Sequence, residues 1–225
     1  MAIESKNTAL VKYLLENEKY SKCIDLNTKN DEDEYPIITA FYANTVEIFR
    51  YLLEKGADAN TKNKNGTSLL SLVIDRYNYN VKFINYLFDR HVNINEKDSS
   101  GNYPLIKAIN KNDFDSVILL IKYGSDVNVV DKEGNSPLVY AIQKKSLSIV
   151  MHLIKNGANI NFFIRNRNQP LTAALQNFNE SFIKFIIDKG ADLNYTDDKN
   201  KTPLFYAVRD RSEVIIKYLI DRGAK

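Results

Sequence analysis

The chain has 225 residues, 44% hydrophobic and 26% charged, with 31 basic side chains against 28 acidic ones, the balance of an ordinary soluble globular protein. Its longest apolar runs are five residues, as in Val117 to Ile121, against the roughly 20 that cross a bilayer, and the stretch up to Leu15 lacks the apolar segment of a secretory signal. One cysteine, Cys23, removes a disulfide framework and any multi-cysteine metal site, and a net charge of +3 is too small to imply nucleic acid or anionic lipid as a partner. A cytoplasmic protein without a membrane partner is the expectation.

In chain order, residues 1–27 read as an irregular N-terminal capping unit. Leu10, Val11, Leu14 and Leu15 make one apolar helix face, but no glycine or proline follows in register. From residue 28 the punctuation becomes regular. The five prolines stand at 36, 104, 137, 170 and 203, so that the last three intervals are each 33 residues, and the first interval holds two units if Leu69 fills a vacant proline position. All eight glycines keep the same register: Gly66, Gly101 and Gly134 lie three residues before the proline position, and Gly56, Gly124, Gly157, Gly190 and Gly223 lie past the end of each unit's second apolar stripe. His91 takes the glycine's place in one unit, which histidine tolerates at positive φ better than most residues. Asn27, Asn60, Asn95, Asn128, Asn161 and Asn194 mark the same ruler.

A period in this range signals stacked supersecondary units. Within each, proline opens a first short helix, with Ser68, Ser136 and Thr202 placed to cap it. Ala40, Ala108, Ala141, Ala174 and Ala207, with Val73 in the second unit, fall four residues on, as expected where two helices approach closely. A second helix follows, its apolar stripe visible in Ile48, Phe49, Leu52 and Leu53, in Ile149, Val150, Leu153 and Ile154, in Phe182, Ile183, Ile186 and Ile187, and in Ile215, Ile216, Leu219 and Ile220. The glycine then ends that helix in the left-handed conformation, and a polar hairpin-like turn leads onward. Two extra residues in the second unit fall near Tyr77 to Asn80, where a longer loop is expected. At the other end Ile215, Ile216 and Leu219 lack a following unit, so the chain reads as cut from a longer array or ending in a helix that tolerates exposure.

The segments Tyr103-Pro104-Leu105-Ile106-Lys107-Ala108, Ser136-Pro137-Leu138-Val139-Tyr140-Ala141, Gln169-Pro170-Leu171-Thr172-Ala173-Ala174 and Thr202-Pro203-Leu204-Phe205-Tyr206-Ala207 resemble the Thr-Pro-Leu-His-x-Ala core of the ankyrin repeat family. The resemblance covers residues 28–225. It implies an all-α ankyrin-repeat solenoid of stacked helix-turn-helix units joined by hairpin-like turns, with six repeats at about 28–60, 61–95, 96–128, 129–161, 162–194 and 195–225. The family's usual histidine is replaced throughout, by Ile38, Ser71, Ile106, Val139, Thr172 and Phe205; apolar contact is expected in place of its hydrogen bond.

No set of acids, bases, nucleophiles or metal ligands converges in the sequence, so no catalytic, metal or cofactor site is expected. His152, beside Met151 and Leu153, reads as a partly exposed structural histidine, and Cys23 as a buried or inert thiol. The acids Asp31 to Glu34 are adjacent on one turn, unlike the spaced ligands of a calcium loop, and read as a solvated loop. What the resemblance implies instead is a monomeric, non-catalytic scaffold binding an unidentified partner protein on its concave face, made of hairpin tips and first helices. The alternative is an architectural spacer or recruitment arm of a longer protein. On that face apolar residues stand out: Phe162, Phe163 and Ile164 with Arg165 and Arg167, next to Val129 and Val130 one unit earlier. An aromatic pair beside arginines has the composition of a binding hot spot; equally, Phe162 could fold inward and stiffen the stack.

Overall fold

The computed structural model describes residues 2–76, 80–98, 100–161, 169–177, 179–197, 199–210 and 212–225. Those residues form two compact bodies, Met1–Lys107 and Ala108–Lys225. Regular structure among them is helical, and none of the helices is long and apolar enough to cross a membrane.

The first body begins with α1 (Thr8–Glu16) and α2 (Glu18–Ser21), followed by the pairs α3 (Pro36–Tyr42) with α4 (Val46–Glu54) and α5 (Leu69–Asp75) with α6 (Asn80–Phe88). Each pair packs on itself, and α4 also packs on α6 and α1. The reason is geometric: each second helix carries a stripe too wide for its own partner to cover, so the remainder meets the next pair. Ile48, Phe49 and Leu52 of α4 and Phe83, Ile84 and Leu87 of α6 are fully buried. Phe83 stands edge-on to both Phe49 (ring centroids 4.8 Å apart) and Phe41 (5.5 Å), an arrangement aromatic quadrupoles favour.

The pattern continues in the second body after α7 (Pro104–Asn110): α8 (Phe114–Lys122), α9 (Pro137–Gln143), α10 (Leu147–Lys155), α11 (Pro170–Asn177), α12 (Glu180–Asp188), α13 (Pro203–Arg209) and α14 (Glu213–Ile220). First helices stack in the order α9, α11, α13, while α10 packs on α8 and α14 on α12. The small residue of each first helix, Ala141, Ala174 or Ala207, is buried at the crossing. Capping follows the sequence, because Ser68, Ser136 and Thr202 side chains each accept the amide three residues on. Ile215 and Leu219, which the sequence left uncovered, are fully buried in α14, which packs on α12 and α13; the large apolar residues of α14 that stay exposed are Val214 and Ile220.

Positive φ occurs at each helix-ending glycine and also at His91 (54°), as the register demanded. Gly157 (φ 88°) has open space where a side chain would begin, so its requirement is backbone conformation rather than crowding. A second left-handed position was not foreseen: Asn44, Asn112 and Lys145, in the turn between paired helices, have φ of 57°, 54° and 56°. The amide one residue further returns to the first helix, Thr45 to the Ala40 carbonyl (3.1 Å) and Ser146 to that of Ala141 (3.1 Å).

Neighbouring pairs are joined by the periodic asparagines. The Asn161 amide donates to the Gly190 carbonyl (2.9 Å) and its carbonyl accepts the Asp192 N–H (2.7 Å); Asn128 does the same to Gly157 and Asn159, Asn194 to Gly223 and Lys225, and Asn27 to Gly56 and Asp58. Asparagine suits this place because one short side chain donates and accepts at once. The family's histidine position holds no such link. Ile38, Ile106 and Val139 are buried there in apolar contact, Ser71 and Thr172 are buried with hydroxyls that find no partner among the described residues, and Phe205 is exposed, contrary to the apolar contact expected of it.

Two outcomes follow for stability. Asn161→Ala should lower it by about 1–2 kcal/mol, with faster hydrogen exchange at the Asp192 amide and unchanged exchange in the first body. Thr172→Val, which replaces a buried hydroxyl that finds no partner among the described residues by a methyl, should raise the unfolding free energy by about 1 kcal/mol in a denaturant titration.

Candidate protein-interaction surface

The hairpin-like turns are shaped by one residue, six positions before the proline position, whose side chain accepts two amides of its own turn. Asp131 Oδ1 accepts the N–H groups of Glu133 (2.8 Å) and Asn135 (2.9 Å). Asp98 does so from Ser100 and Asn102, Asp197 from Lys199 and Lys201, Asn63 from Asn65 and Thr67, and Asn30 from Glu32 and Glu34. This is the local hydrogen bonding that makes Asp and Asn turn formers. The second carboxylate oxygen then ties the turn to the first helix of its repeat: Asp131 accepts the Tyr140 hydroxyl, Asp197 that of Tyr206, and Asp98 the Lys107 ammonium (3.0 Å). Lys107 also meets Asp75 at 2.7 Å.

These bonds leave a mark on the titration of the pair. Burial alone would raise the Asp131 carboxyl, but hydrogen bonds from Tyr140 and the turn amides outweigh it and hold it below the usual 3.8. Burial, then the bond to Asp131, pushes the Tyr140 hydroxyl up to about 12. Asp98 and Asp197 are lowered in the same way, against burial, by the amides and by Lys107 and Tyr206 respectively.

Beyond the turns, the edge of each first helix presents one exposed residue in common register: Tyr42, Asp75, Asn110, Gln143, Gln176 and Arg209. On α13, Phe205 and Val208 are exposed beside it; the Lys201 ammonium lies 4.1 Å from the Phe205 ring centre, and Arg209 lies 4.9 Å from that of Tyr206. Sequence reading passed over this patch because Phe205 sat in a position assigned to the interior. Of the cluster named from the sequence, Val130 is half-buried next to buried Val129; Phe162, Phe163, Ile164, Arg165 and Arg167 lie outside the described residues, as do residues 77–79 of the longer loop expected near Tyr77 to Asn80, Asn80 itself opening α6. His152 is half-buried and edge-on to Phe114 (5.8 Å). Cys23 is exposed rather than buried. Asp31, Glu32 and Asp33 are exposed, Asp33 pairing with Lys29 at 2.7 Å. No group of His, Cys, Asp or Glu among the described residues is arranged to hold a metal ion.

Helix pairs in a fixed register, linked by side-chain amides and offering turn tips and helix edges to solvent, define a helical repeat protein. The family description "Ankyrin repeats (3 copies)" matches residues 1–98, 70–164 and 161–225, and the chain belongs to the ankyrin repeat family, with that family's all-α solenoid fold. The crystal structure of the ankyrin repeat domain of Bcl-3, described as a unique member of the IkappaB protein family, is similar with a TM-score of 0.80 and 25% identity, covering 99% of this chain and 96% of that one. The human ASB11 ankyrin repeat domain shares the fold at a TM-score of 0.70 and 19% identity, covering 100% of this chain and 96% of that one. A stretch of 47 residues is 47% identical to alpha-latrocrustotoxin-Lt1a of Latrodectus tredecimguttatus, amounting to 21% of this chain and only 3% of that protein's length. Ankyrin repeats are generally non-catalytic modules for binding other proteins.

The Asp131 tie has a signed pH dependence. A carboxyl lowered in the folded state contributes stability above its ordinary value and loses it as pH falls through the lower folded value. Asp131→Asn should therefore cost about 1–2 kcal/mol at pH 7, and the gap between parent and variant in thermal melts should close as pH drops below about 4. The Tyr140 contribution has the opposite sense, being complete below pH 10 and lost as pH rises through about 12.

Proposed function

We propose that this chain is a non-catalytic interaction scaffold that holds a partner protein on the face made of turn tips and first helices, the concave face of such solenoids. It acts as a monomeric cytoplasmic module without cofactor, nucleic acid or membrane, from a cap at 1–27 and six repeats over 28–225. The observation that carries the reading is a break in the turn rule. The position that holds Asn30, Asn63, Asp98, Asp131 and Asp197 is Ile164 in the fifth repeat, and Tyr140 and Tyr206 correspond there to Ala173. Both halves of the polar tie are thus missing from the one tip that carries Phe162, Phe163, Arg165 and Arg167. The loss of the turn-forming Asp or Asn at one tip, with aromatic and guanidinium groups beside it, supports a role in contact rather than in turn stability.

Register divides the roles within that tip. Phe162 corresponds in register to Val129 and Tyr195, both buried. Phe163 corresponds to half-buried Val130 and exposed Thr196, and with Arg165 and Arg167 is assigned to the partner, Val130 extending the patch. In capture from extracts of the source cell, Phe163→Ala with Arg165→Ala should reduce partner recovery at least about tenfold while leaving the melting temperature within about 2 °C. A drop of many degrees, with capture restored at low temperature, would return the tip to a structural role.

A further inference from the structure

The second helices of the second body carry a groove that the ordinary binding face does not use. Between α10 and α12 lies a cleft of about 550 Å³ lined by Lys145, Leu147, Met151, Asn179, Phe182 and Phe185. Beside it a cleft of about 530 Å³ is lined by Phe114 of α8, Met151, His152 and Lys155 of α10, and Phe185 and Lys189 of α12. The two share Met151 and Phe185, so they form one continuous groove. Large apolar side chains in its walls reach solvent: Leu147 is 48% exposed and Met151 50%, alongside the exposed Ser148 and Ser181. One turn of helix separates these two residues on α10, so both project from the same stripe. Nothing in the stack requires them, since Ile149, Val150 and Leu153 of the same helix fill the core.

Charge around the groove has one sign. Lys145, Lys155 and Lys189 line it and neither lining contains a carboxylate; among the described residues none of the three lysines forms an ion pair. The acids of α12 are engaged toward α14. Glu180 accepts the Ser212 hydroxyl (2.9 Å), and Asp188 accepts the Tyr218 hydroxyl (2.7 Å) and pairs with Arg222 (3.0 Å). Lys189 also lies 5.6 Å from the Phe185 ring centre, which keeps its charge at the groove's rim.

We propose that this groove is a second docking site, and that its occupant is an acidic amphipathic helix of a partner protein. An apolar floor with three lysines and no acid is complementary to a helix whose apolar stripe is flanked by Glu or Asp. The nine residues of α10 span about 13 Å, the length of two to three turns, so the occupant presents apolar anchors at i, i+4 and i+7. The surface is a depression rather than a ridge, so it accepts inserted side chains; a bilayer is instead entered by protruding apolar groups. The site shares no residue with the turn-tip cluster around Phe163, and either can fail without the other.

The chain has no tryptophan, so a single Trp in a probe peptide reports binding without background. The probes are acetylated and amidated helical peptides about 16 residues long, with Leu, Trp and Leu at i, i+4 and i+7 and glutamates beside them. The Trp emission should shift to shorter wavelength on saturable binding to the full chain. Met151→Glu, and separately Lys155→Glu with Lys189→Glu, should weaken binding at least about tenfold, while Phe163→Ala with Arg165→Ala leaves it unchanged. Leu147→Asp serves as a second groove variant if Met151→Glu lowers the melting temperature. No saturable binding, or equal binding of the same peptide with lysines in place of glutamates, overturns the proposal. So does Met151-dependent sedimentation with phosphatidylserine vesicles in the absence of peptide binding, which would make the groove a membrane contact. Met151-dependent self-association in ultracentrifugation without peptide binding overturns it too, in favour of a second copy of this chain.

Discussion

A helix pair of this length cannot cover its own apolar stripe, and the burial of that stripe by the next pair is the interaction on which the rest of the structure depends. A fully buried Leu or Ile is worth roughly 1.5–3 kcal/mol, and Leu52, Leu87, Leu153 and Ile186 are buried in helices that pack on a second helix of a neighbouring pair. Stability is then shared between adjacent pairs rather than gathered in one centre. Apolar burial has little directionality, however, and would tolerate sliding. The asparagine bridges supply the missing specificity: each spans from one turn to the end of the next second helix, 29 and 31 residues on, so the amides can meet their partners in one register alone.

The same division of labour explains why the surface is free to specialise. Interior positions repeat every 33 residues, or 35 across the lengthened second unit, because every interface solves the same packing problem. Turn tips and helix edges face water, where a substitution costs little. The edge residues Tyr42, Asp75, Asn110, Gln143, Gln176 and Arg209 share a place in the structure and almost nothing in chemistry. That contrast is the physical basis for a family whose members share a fold and differ in what they hold.

The polar ties of the turns illustrate how far a motif can drift while keeping its task. Asp98 is held by Lys107, whereas Asp131 and Asp197 are held by tyrosine hydroxyls. An ammonium and a phenol differ in charge and shape, yet both can reach from the first helix to a carboxylate in the turn. A buried carboxylate needs a donor, and either serves.

Local chemistry made much of this legible from residue order. Proline and glycine have backbone demands that survive any tertiary context, so the period, the helix starts and ends, and the left-handed His91 could be placed before any contact was known. The apolar stripes gave the paired helices. Less legible was whatever depends on distance between residues far apart in the chain. The asparagines were visible as markers, but their partners lie about 30 residues away and only stacking brings them into reach. Asn30, Asn63, Asp98, Asp131 and Asp197 kept the same ruler unnoticed, because Asn and Asp are common in loops and their significance is a bond geometry. Phe205 was misplaced for the converse reason: a hydrophobic residue in a core-like register is exposed on α13, where the Lys201 ammonium lies over its ring. Sequence by itself determined the repeating unit and its family, because backbone conformation and apolar periodicity are local properties. Tertiary structure alone decided which polar groups meet, which hydroxyls stay unpaired and where apolar side chains such as Leu147 and Met151 remain open to solvent, because those depend on which surfaces the stacking leaves uncovered.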